Sequence, residues 1–444
     1  MIAELYGAHV RALSTQYDEA LAAQGYDAVV IHGGVARKRS DFDDQYWSLR
    51  ATPHFQHWVP LAEPDAALVL RAGRRPTLAR VPCTSFWEAP AVPEGDHFIP
   101  HMDHLAPASA DALREHLPTG RVAFLGEDLA QAVRWGFSNE HTNPDGLVRA
   151  LDALRTRKTA YERWCIDEAN RRAATGHVAL REAFRGGAES EFDLHLAYLN
   201  ATGQDDPETP YKNIVAAGRN AATLHHVTYA RSRRASAGTL LVDAGATCMG
   251  YCSDITRTWV RDDGTAAGGV FAALVAEVEA MQQRLCAAVA VGMRYEALHD
   301  RAHDELGAAL SRLKLVTCSG AEAVAKGITR VFLPHGLGHS LGLQTHDVGC
   351  ALIKPRADNP FLRNTSVIEP GQVFTIEPGV YFIEGLLRPL REGADAGCVD
   401  WSLADALAPY GGVRIEDDVY VTGDPARPIE NWTRAVLPEG GGAA

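Results

Sequence analysis

The chain has 444 residues, a formal net charge of −13, 46% apolar residues and 22% charged residues. This length allows two domains and a large core. The acidic balance argues against nucleic acid as a partner, because binding to backbone phosphates needs a basic surface.

The composition also indicates where the protein works. Eight cysteines are too dilute for a disulfide scaffold, so we expect reduced thiols in a cytoplasmic protein. No segment reaches the roughly 20 apolar residues of a membrane span. The N-terminal MIAELYGAHVRAL carries Glu4 and Arg11 where a signal peptide would be apolar.

The first third of the chain alternates strand and helix patterns. An apolar stripe predicts a helix over residues 1–23, and buried strands are predicted at DAVVIHGG, AALVL and VAFLG, with a weaker one at PTLARV. The segment RKRSDFDDQYWSLRATPHFQHWV is dense in charge and aromatic residues and predicts a surface or a cleft. Together these patterns predict an N-terminal α/β domain over residues 1–157.

A second domain is predicted over residues 158–438. The stretch LVRALDALRTRKTAYERWCIDEANRRAATGHVALREAF predicts a helical bridge into it. Helices at 268–290 and 295–313 then mix with strands at TLLVDAGA, DITRTWV, VFTIEPGVYF and VRIEDDVYV. Residues 439–444 predict a flexible tail.

Five residues of the second domain form a candidate metal site. They lie in the apolar or glycine-rich segments LLVDAGATCMGYCSDITRTW, FLPHGLGHSLGLQTHD, VFTIEPGVYF and GGVRIEDDVY, where an unpaired charge is costly: Asp243, Asp254, His339, Glu377 and Glu416. Four carboxylates would repel one another unless a multiply charged cation lay between them. The set predicts a two-metal hydrolase, with oxygen ligands favouring Mn²⁺.

The two aspartates have a predicted spacing. If their segments pair as a hairpin centred on Cys248 and Met249, Asp243 and Asp254 lie directly opposite each other. For either aspartate alone, a turn cap or a structural salt bridge is the alternative. Arg414 is an alternative partner for one of the glutamates, because it lies two residues before Glu416 on the same strand face.

Two other motifs are excluded by their context. GHSLG at 338–342 matches the G-x-S-x-G nucleophile elbow, but that fold places its acid and then its histidine after the serine, and only His346 follows. HDRAH at 299–303 resembles the HExxH helix of zinc proteases. There an aspartate replaces the glutamate, and the flanking sequence predicts a solvated helix face.

The segments VDAGATCMGYCSDITRTW, HGLGHSLGLQTHD, TIEPGVYF and GGVRIED together resemble the pita-bread metallopeptidases. Within that superfamily the chain is similar to the bacterial Xaa-Pro dipeptidases, or prolidases, over essentially its whole length. The resemblance implies a creatinase/prolidase-like α/β domain followed by a C-terminal pita-bread domain. It also implies that Asp243 binds one metal, that His339 and Glu377 bind the other, and that Asp254 and Glu416 bridge them.

The resemblance further implies roles for residues around the metals. Three histidines would bind substrate or stabilise charge in the transition state, and Glu377 would accept the proton of the attacking water. Arg414 would support the ligands, Tyr211 would be the active-site tyrosine, and Arg363 would bind the dipeptide carboxylate. The histidines are His225, His335 and His346, with His226 as an alternative to His225 because the family's LHY motif reads LHH in this chain.

The implied reaction is hydrolysis of the Xaa-Pro bond of dipeptides by a hydroxide held between two divalent metals. Mn²⁺ is favoured, with Co²⁺ and Zn²⁺ as alternatives. The alternative functions are an aminopeptidase P acting on longer X-Pro peptides, an organophosphorus acid anhydrolase-like activity, and a metal-free binding module. The family also implies a homodimer, which would explain the aromatic residues Trp47, Phe55 and Trp58; a local hydrophobic cluster would explain them equally well.

Overall fold

Two units make up the chain in the computed structural model, which describes residues 1–186, 190–232, 238–349 and 353–443. Unit 1 comprises Met1–Cys165 and Cys248–Tyr251, and unit 2 comprises Ile166–Thr247 and Cys252–Ala444. Within the described residues, no helix is long and apolar enough to cross a membrane.

Unit 1 contains the predicted α/β arrangement. Its strands form a mixed sheet in the order β4-β3-β2-β1-β5, with β1 antiparallel to β2 and parallel to β5. The helices are α1 (Ile2–Gln24), α2 (Pro53–Gln56), α3 (Leu129–Arg134) and α4 (Asp145–Arg155). The strands are β1 (Ala28–His32), β2 (Ala67–Arg71), β3 (Thr77–Ala79), β4 (Asp103–Leu105) and β5 (Val122–Leu125).

The aromatic segment of unit 1 has two environments. Phe55 and Trp58 are buried, while Trp47 is 59% exposed. The Tyr6 hydroxyl donates to the Trp58 carbonyl, which ties α1 to this segment. Phe55 and Trp58 therefore belong to the core, as the local-cluster alternative predicts, and Trp47 belongs to the surface.

Unit 2 places its strands in several small sheets. The largest has the order β16-β10-β7-β6, and the others are β11-β14-β15 and β12-β13; β8-β9 is a separate hairpin, of which Cys248–Tyr251 belong to unit 1. The helices are α5 (Ala160–Gly186), which begins in unit 1, and α6 (Glu191–Thr202), α7 (Ala266–Ala287), α8 (Tyr295–Arg312), α9 (Gly320–Ala325), α10 (Ile328–Phe332), α11 (Glu384–Glu392), α12 (Trp401–Leu407) and α13 (Trp432–Val436). The strands are β6 (Ile214–Ala217), β7 (Thr239–Asp243), β8 (Thr247–Cys248), β9 (Tyr251–Cys252), β10 (Thr256–Val260), β11 (Val373–Ile376), β12 (Gly379–Tyr381), β13 (Gly412–Arg414), β14 (Asp417–Asp424), β15 (Arg427–Asn431) and β16 (Gly441–Ala443).

The central sheet of unit 2 is buried by apolar side chains. Leu180 of α5 and Tyr198 of α6 pack in one cluster with Val215, Val242 and Trp259 of the strands. A second, larger cluster joins α7 and α8 to β6, β7 and β10 and also to β11, β12, β13 and β14. Because these clusters hold β6, β7 and β10 in place, the residues at the strand ends have fixed positions.

Two segments differ from the sequence-based predictions. The predicted helical bridge is two helices, because α4 ends at Arg155 and α5 starts at Ala160. The restart has a physical cause: the Glu162 side chain accepts the Thr159 backbone N–H at 2.7 Å, as in a capping box. At the other end, where a flexible tail is predicted from residue 439, Gly441–Ala443 pairs in parallel with β10.

The HDRAH segment forms a helix, but its predicted solvated face is wrong for both histidines. His299 and His303 are 3% and 2% exposed, and their rings contact each other at 4.7 Å between centroids. They lie on the same side of α8 as the buried Tyr295, Ala302 and Leu306. The histidines share this buried face because residues three and four apart lie on one side of a helix.

We expect the variant His303→Leu to weaken the acid sensitivity of the fold. Burial, then the charges of His299 and Arg330, lower the pKa of His303 to about 3. An unfolded chain binds this proton near pH 6.5, so wild-type stability falls as the pH drops from there towards 3. Replacing His303 removes the uptake of one proton on unfolding. The free energy of unfolding of the variant should therefore depend on pH less steeply, by about 1.4 kcal/mol per pH unit in this range.

Denaturant unfolding at pH 8 and pH 5 measures this effect. The variant should gain stability relative to wild type at pH 5 but not at pH 8. The matched control is His116→Leu, which changes an exposed histidine of unit 1. An equal response of both variants to pH would contradict the prediction.

Candidate metal centre

Asp243 and Asp254 reach the centre from one antiparallel strand pair. β7 and β10 do pair, but Asp243 lies opposite Thr256 and not opposite Asp254. The predicted turn is one residue too early: β8 and β9 connect through Met249 and Gly250, which have φ values of 52° and 83°. Positive φ at both central residues is typical of a two-residue hairpin turn. A shift of one residue in the turn centre moves the pairing by two residues.

His339 and Glu377 are brought together by backbone pairing. The Thr375 N–H donates to the His339 carbonyl at 2.9 Å, and the Glu377 N–H donates to the Leu337 carbonyl at 2.8 Å. Gly338 allows this close approach, because a Cβ atom there would lie 2.2 Å from the Thr375 carbonyl oxygen. Glu377 itself follows β11 directly.

The imidazole of His339 lies among three carboxylates. Its Nε2 is 3.4 Å from Asp254 Oδ2, 3.5 Å from Glu377 Oε1 and 3.9 Å from Glu416 Oε1. One ligand atom each from Asp254, His339 and Glu416 lie within 4.8 Å of one another, and all three residues are buried. The fifth residue, Asp243, accepts a hydrogen bond at 2.6 Å from the Tyr211 hydroxyl, which also contacts Asp254.

The electrostatics of this cluster fit a divalent cation. Burial raises the pKa of Asp254 well above its usual range, and the charge of Asp243 raises it further. Burial also raises the pKa of Glu416, with added repulsion from Asp254 and Glu377. Burial raises the pKa of Glu377 to about 7. Carboxylates and imidazole are ligands for divalent metals, and a cation between them offsets both the burial and the mutual repulsion.

Arg414 interacts with the first aspartate, and the alternative pairing with a glutamate is not observed. Its Nη2 donates to Asp243 Oδ2 at 2.6 Å, and its Nε donates to Thr256 Oγ1 at 3.1 Å. The Thr256 hydroxyl then donates to Glu416 Oε2 at 2.6 Å. Arg414 and Thr256 therefore connect carboxylates on two strands.

The predicted histidines lie around this cluster. The His335 Nε2 is 2.8 Å from the Tyr381 hydroxyl, and its Nδ1 is 3.7 Å from Glu377 Oε2. The ring of His346 packs edge-on against His339 at 4.5 Å between centroids. His225 is exposed, and burial is the main cause of the lowered pKa of His346.

Arg363 is exposed, yet it acts on the same group of histidines. Burial is the main cause of the lowered pKa of His335, His339 and His346, and the positive charge of Arg363 contributes in all three cases. An exposed guanidinium of this kind is able to pair with an anionic group.

Family models match almost the whole chain. The model of metallopeptidase family M24 covers residues 165–423, and that of the Xaa-Pro dipeptidase N-terminal domain covers residues 4–153. The chain belongs to metallopeptidase family M24. This membership confirms the predicted order of an N-terminal α/β domain and a C-terminal pita-bread domain.

Relatives of this M24 chain are similar over nearly their full length. The Xaa-Pro dipeptidase of Marinobacter nauticus is 41% identical over 98% of both chains, and that of Aeromonas hydrophila is 39% identical over 97% of this chain and 98% of its own. Among solved structures, proline aminopeptidase P II of Yersinia pestis has a TM-score of 0.70 at 21% identity, covering 99% of this chain and 98% of its own. The aminopeptidase PepP of Pseudomonas aeruginosa has a TM-score of 0.68 at 23% identity, covering 96% and 95%. These structures share the fold.

The M24 centre also contains residues that sequence reasoning missed. Tyr381 accepts a hydrogen bond from Arg414 Nη1 at 2.8 Å. Asp418 is buried, and its Oδ2 accepts the Asp254 backbone N–H at 3.0 Å and Asn170 Nδ2 at 2.9 Å. The sequence does hold a signal for Asp418, because it is an acidic residue inside the strand pattern VRIEDDVYV.

Proposed function

We propose that this protein is a metal-dependent Xaa-Pro dipeptidase that binds two divalent ions, with Mn²⁺ favoured. The ions would be held by the five residues that converge in unit 2: Asp243, Asp254, His339, Glu377 and Glu416. The buried cluster of Asp254, His339 and Glu416 is the observation that carries the proposal. The Xaa-Pro dipeptidases at 39–41% identity support the substrate class.

The residues of the chain have separate tasks in this reaction. When bound, divalent metals lower the pKa of water and polarise the carbonyl group before proline. Glu377 accepts the proton of the attacking water and passes it towards the amine of the leaving proline. His335 is hydrogen-bonded to the Tyr381 hydroxyl and lies beside Glu377. From this position it stabilises charge in the transition state. Arg414 fixes the orientation of Asp243 through its 2.6 Å hydrogen bond.

The substrate termini need different partners. Arg363 supplies a positive charge for the carboxylate of a C-terminal proline. His346, whose ring packs against His339, and His225 are the remaining histidines proposed to contact the substrate. An X-Pro amide has no N–H, so recognition relies on these end contacts.

Hydrolysis of Leu-Pro beside Leu-Pro-Ala tests the function, first in metal-stripped protein and then with Mn²⁺, Co²⁺ or Zn²⁺ restored. Metal-dependent cleavage of the dipeptide alone supports a dipeptidase. Cleavage of the tripeptide indicates an aminopeptidase P. A phosphotriester is assayed in parallel, and its cleavage without cleavage of either peptide indicates an organophosphorus acid anhydrolase. No metal binding and no cleavage would indicate a binding module.

We expect Arg363→Ala to raise the KM for Leu-Pro by about 10-fold or more, because a charge-assisted hydrogen bond to the carboxylate contributes roughly 1.5–3 kcal/mol. The amide Leu-Pro-NH₂, which lacks the carboxylate, should show no such change. Arg388→Ala, at an exposed arginine of α11, is the control. An equal loss on both substrates would contradict the assigned contact.

We also propose a cytoplasmic homodimer. Unit 1 exposes the aromatic side chains of Phe42, Trp47, Phe86 and Trp87, and the rings of Phe86 and Trp87 adjoin at 4.6 Å between centroids. Adjoining exposed apolar side chains are typical of interaction surfaces. Light scattering on wild type and on a Phe86→Ser/Trp87→Ser variant tests this. A monomeric wild-type protein would contradict the dimer.

A further inference from the structure

Glu191 is a buried carboxylate outside the metal centre, at the first residue of α6. It is 3% exposed, and its two oxygens accept four hydrogen bonds. Oε1 accepts from the Ala217 N–H at 2.9 Å and from Asn220 Nδ2 at 2.7 Å. Oε2 accepts from His226 Nε2 at 2.9 Å and from the Ala230 N–H at 2.7 Å. An ionised carboxylate has about four acceptor positions, so Glu191 is fully used.

All four donors belong to one loop, residues 217–230. Ala217 is the last residue of β6, and Ala230 lies further along the connection that leads to β7. Glu191 therefore connects Ala217 to Ala230 and also holds Asn220 and His226 between them. The Ala230 carbonyl also accepts the Phe192 N–H at 3.2 Å, which fastens the loop to α6 a second time.

The same contacts distinguish the two adjacent histidines of the loop. His226 points at Glu191, while its neighbour His225 is exposed and lies within electrostatic range of His346. His346 packs on His339, a proposed metal ligand. The choice of His225 over His226 as the active-site residue thus follows from the partner of His226.

The ionised state of Glu191 is stable over a wide pH range. Burial acts to raise its pKa, but the hydrogen bonds from His226, Ala230, Ala217 and Asn220 outweigh burial and lower the pKa to about 2. The carboxylate therefore keeps all four acceptor positions at neutral pH.

We infer that Glu191 is a positioning residue, which fastens loop 217–230 so that His225 is presented to the substrate at the metal centre. This inference rests on the proposed function for the role of His225, but the fastening itself does not. The side-chain hydrogen bonds of Glu191 in the described part of the chain go to loop 217–230 and not to the proposed metal ligands. Its effect on the reaction passes through the position of His225.

The variant Glu191→Gln tests the fastening without any activity measurement. The glutamine side chain has the same size as glutamate, but one carboxylate oxygen is replaced by an NH₂ group. This group cannot accept a hydrogen bond from the N–H donors that face it. We expect hydrogen–deuterium exchange in peptides covering 217–230 to become at least about 10-fold faster, with exchange in β10 unchanged. Unchanged exchange in the loop would overturn the inference.

Two further variants serve as control and safeguard. Asp193→Asn changes another carboxylate of the same helix turn. Among the residues that the structure describes, this carboxylate bonds with Ser190 in the capping box and not with the loop, so loop exchange should stay at the wild-type rate. If Glu191→Gln fails to fold, His226→Ala removes a single donor, and it should speed exchange in the loop by a smaller factor. Wild-type exchange in a folded His226→Ala protein would also overturn the inference.

A double-mutant cycle with His225→Ala tests the role in the reaction. Alone, Glu191→Gln should lower kcat/KM for Leu-Pro by about 10- to 100-fold, the range caused by misplacing a reacting group by about 1 Å. In the His225→Ala background it should change kcat/KM less than about 3-fold, because the residue it positions is gone. Multiplicative losses would overturn a role through His225. If wild type cleaves no X-Pro substrate, the proposed function fails, and the exchange experiment still decides the fastening.

Discussion

Replacing Asp254 with Asn is expected to remove metal binding and peptide hydrolysis together. Asp254 is buried, and its Oδ2 lies 3.4 Å from His339 Nε2 at the middle of the cluster. Loss of a partner outside the ligand set costs about 10–100-fold in metal affinity or activity, so loss of a ligand should cost more than about 100-fold. Metal content after dialysis and kcat/KM for Leu-Pro measure the two losses.

The same variant should be more stable than wild type in the metal-free state. Burial and the charge of Asp243 raise the pKa of Asp254. The side chain therefore favours the folded state while it is protonated, and this contribution to stability is lost as the pH rises through the raised pKa. At pH 8 a neutral amide avoids this cost, and thermal unfolding in chelator should occur at higher temperature for Asp254→Asn. Added Mn²⁺ should stabilise wild type alone.

The control is Asp405→Asn, at an exposed aspartate of α12, which should leave both metal content and stability unchanged. If Asp254→Asn retained the wild-type metal content, the assignment of Asp254 as a ligand would be contradicted.

The site residues were easier to predict from sequence than their arrangement. Asp254 and Glu416 stand out because each interrupts a buried apolar segment, where a charge is costly. The register of Asp243 against the strand that follows Asp254 depends on the turn at Met249 and Gly250, and an error of one residue in a turn shifts the register. The hairpin was predictable, and its centre was not.

Residues that act through distant contacts could not be found in the sequence. Asp418 meets Asn170, which lies 248 positions away, and Tyr381 meets Arg414 across a strand pair. No local pattern records such pairs. His299 and His303 show the opposite error, since a charged segment predicts a solvated face although both rings are buried.

The variant Asp417→Asn is expected to have the largest effect on stability. Asp417 and Arg257 are both fully buried, and Arg257 Nη2 lies 2.9 Å from Asp417 Oδ1. Arg434 Nε and Gln282 Nε2 each lie 2.8 Å from Oδ2. Removing the negative charge leaves the Arg257 guanidinium buried without a counter-charge, which costs about 3–5 kcal/mol.

Such a loss is a large part of the 5–15 kcal/mol that typically stabilises a folded protein. The free energy of unfolding of Asp417→Asn in denaturant measures it, with Arg388→Gln as control. Arg388 pairs with Glu384, and both are largely exposed, so its loss should cost less than about 1 kcal/mol. Because Asp417 directly follows Glu416, the destabilised variant should also bind Mn²⁺ more weakly. Equal unfolding free energies for the two variants would show that the buried pair is not required for the fold.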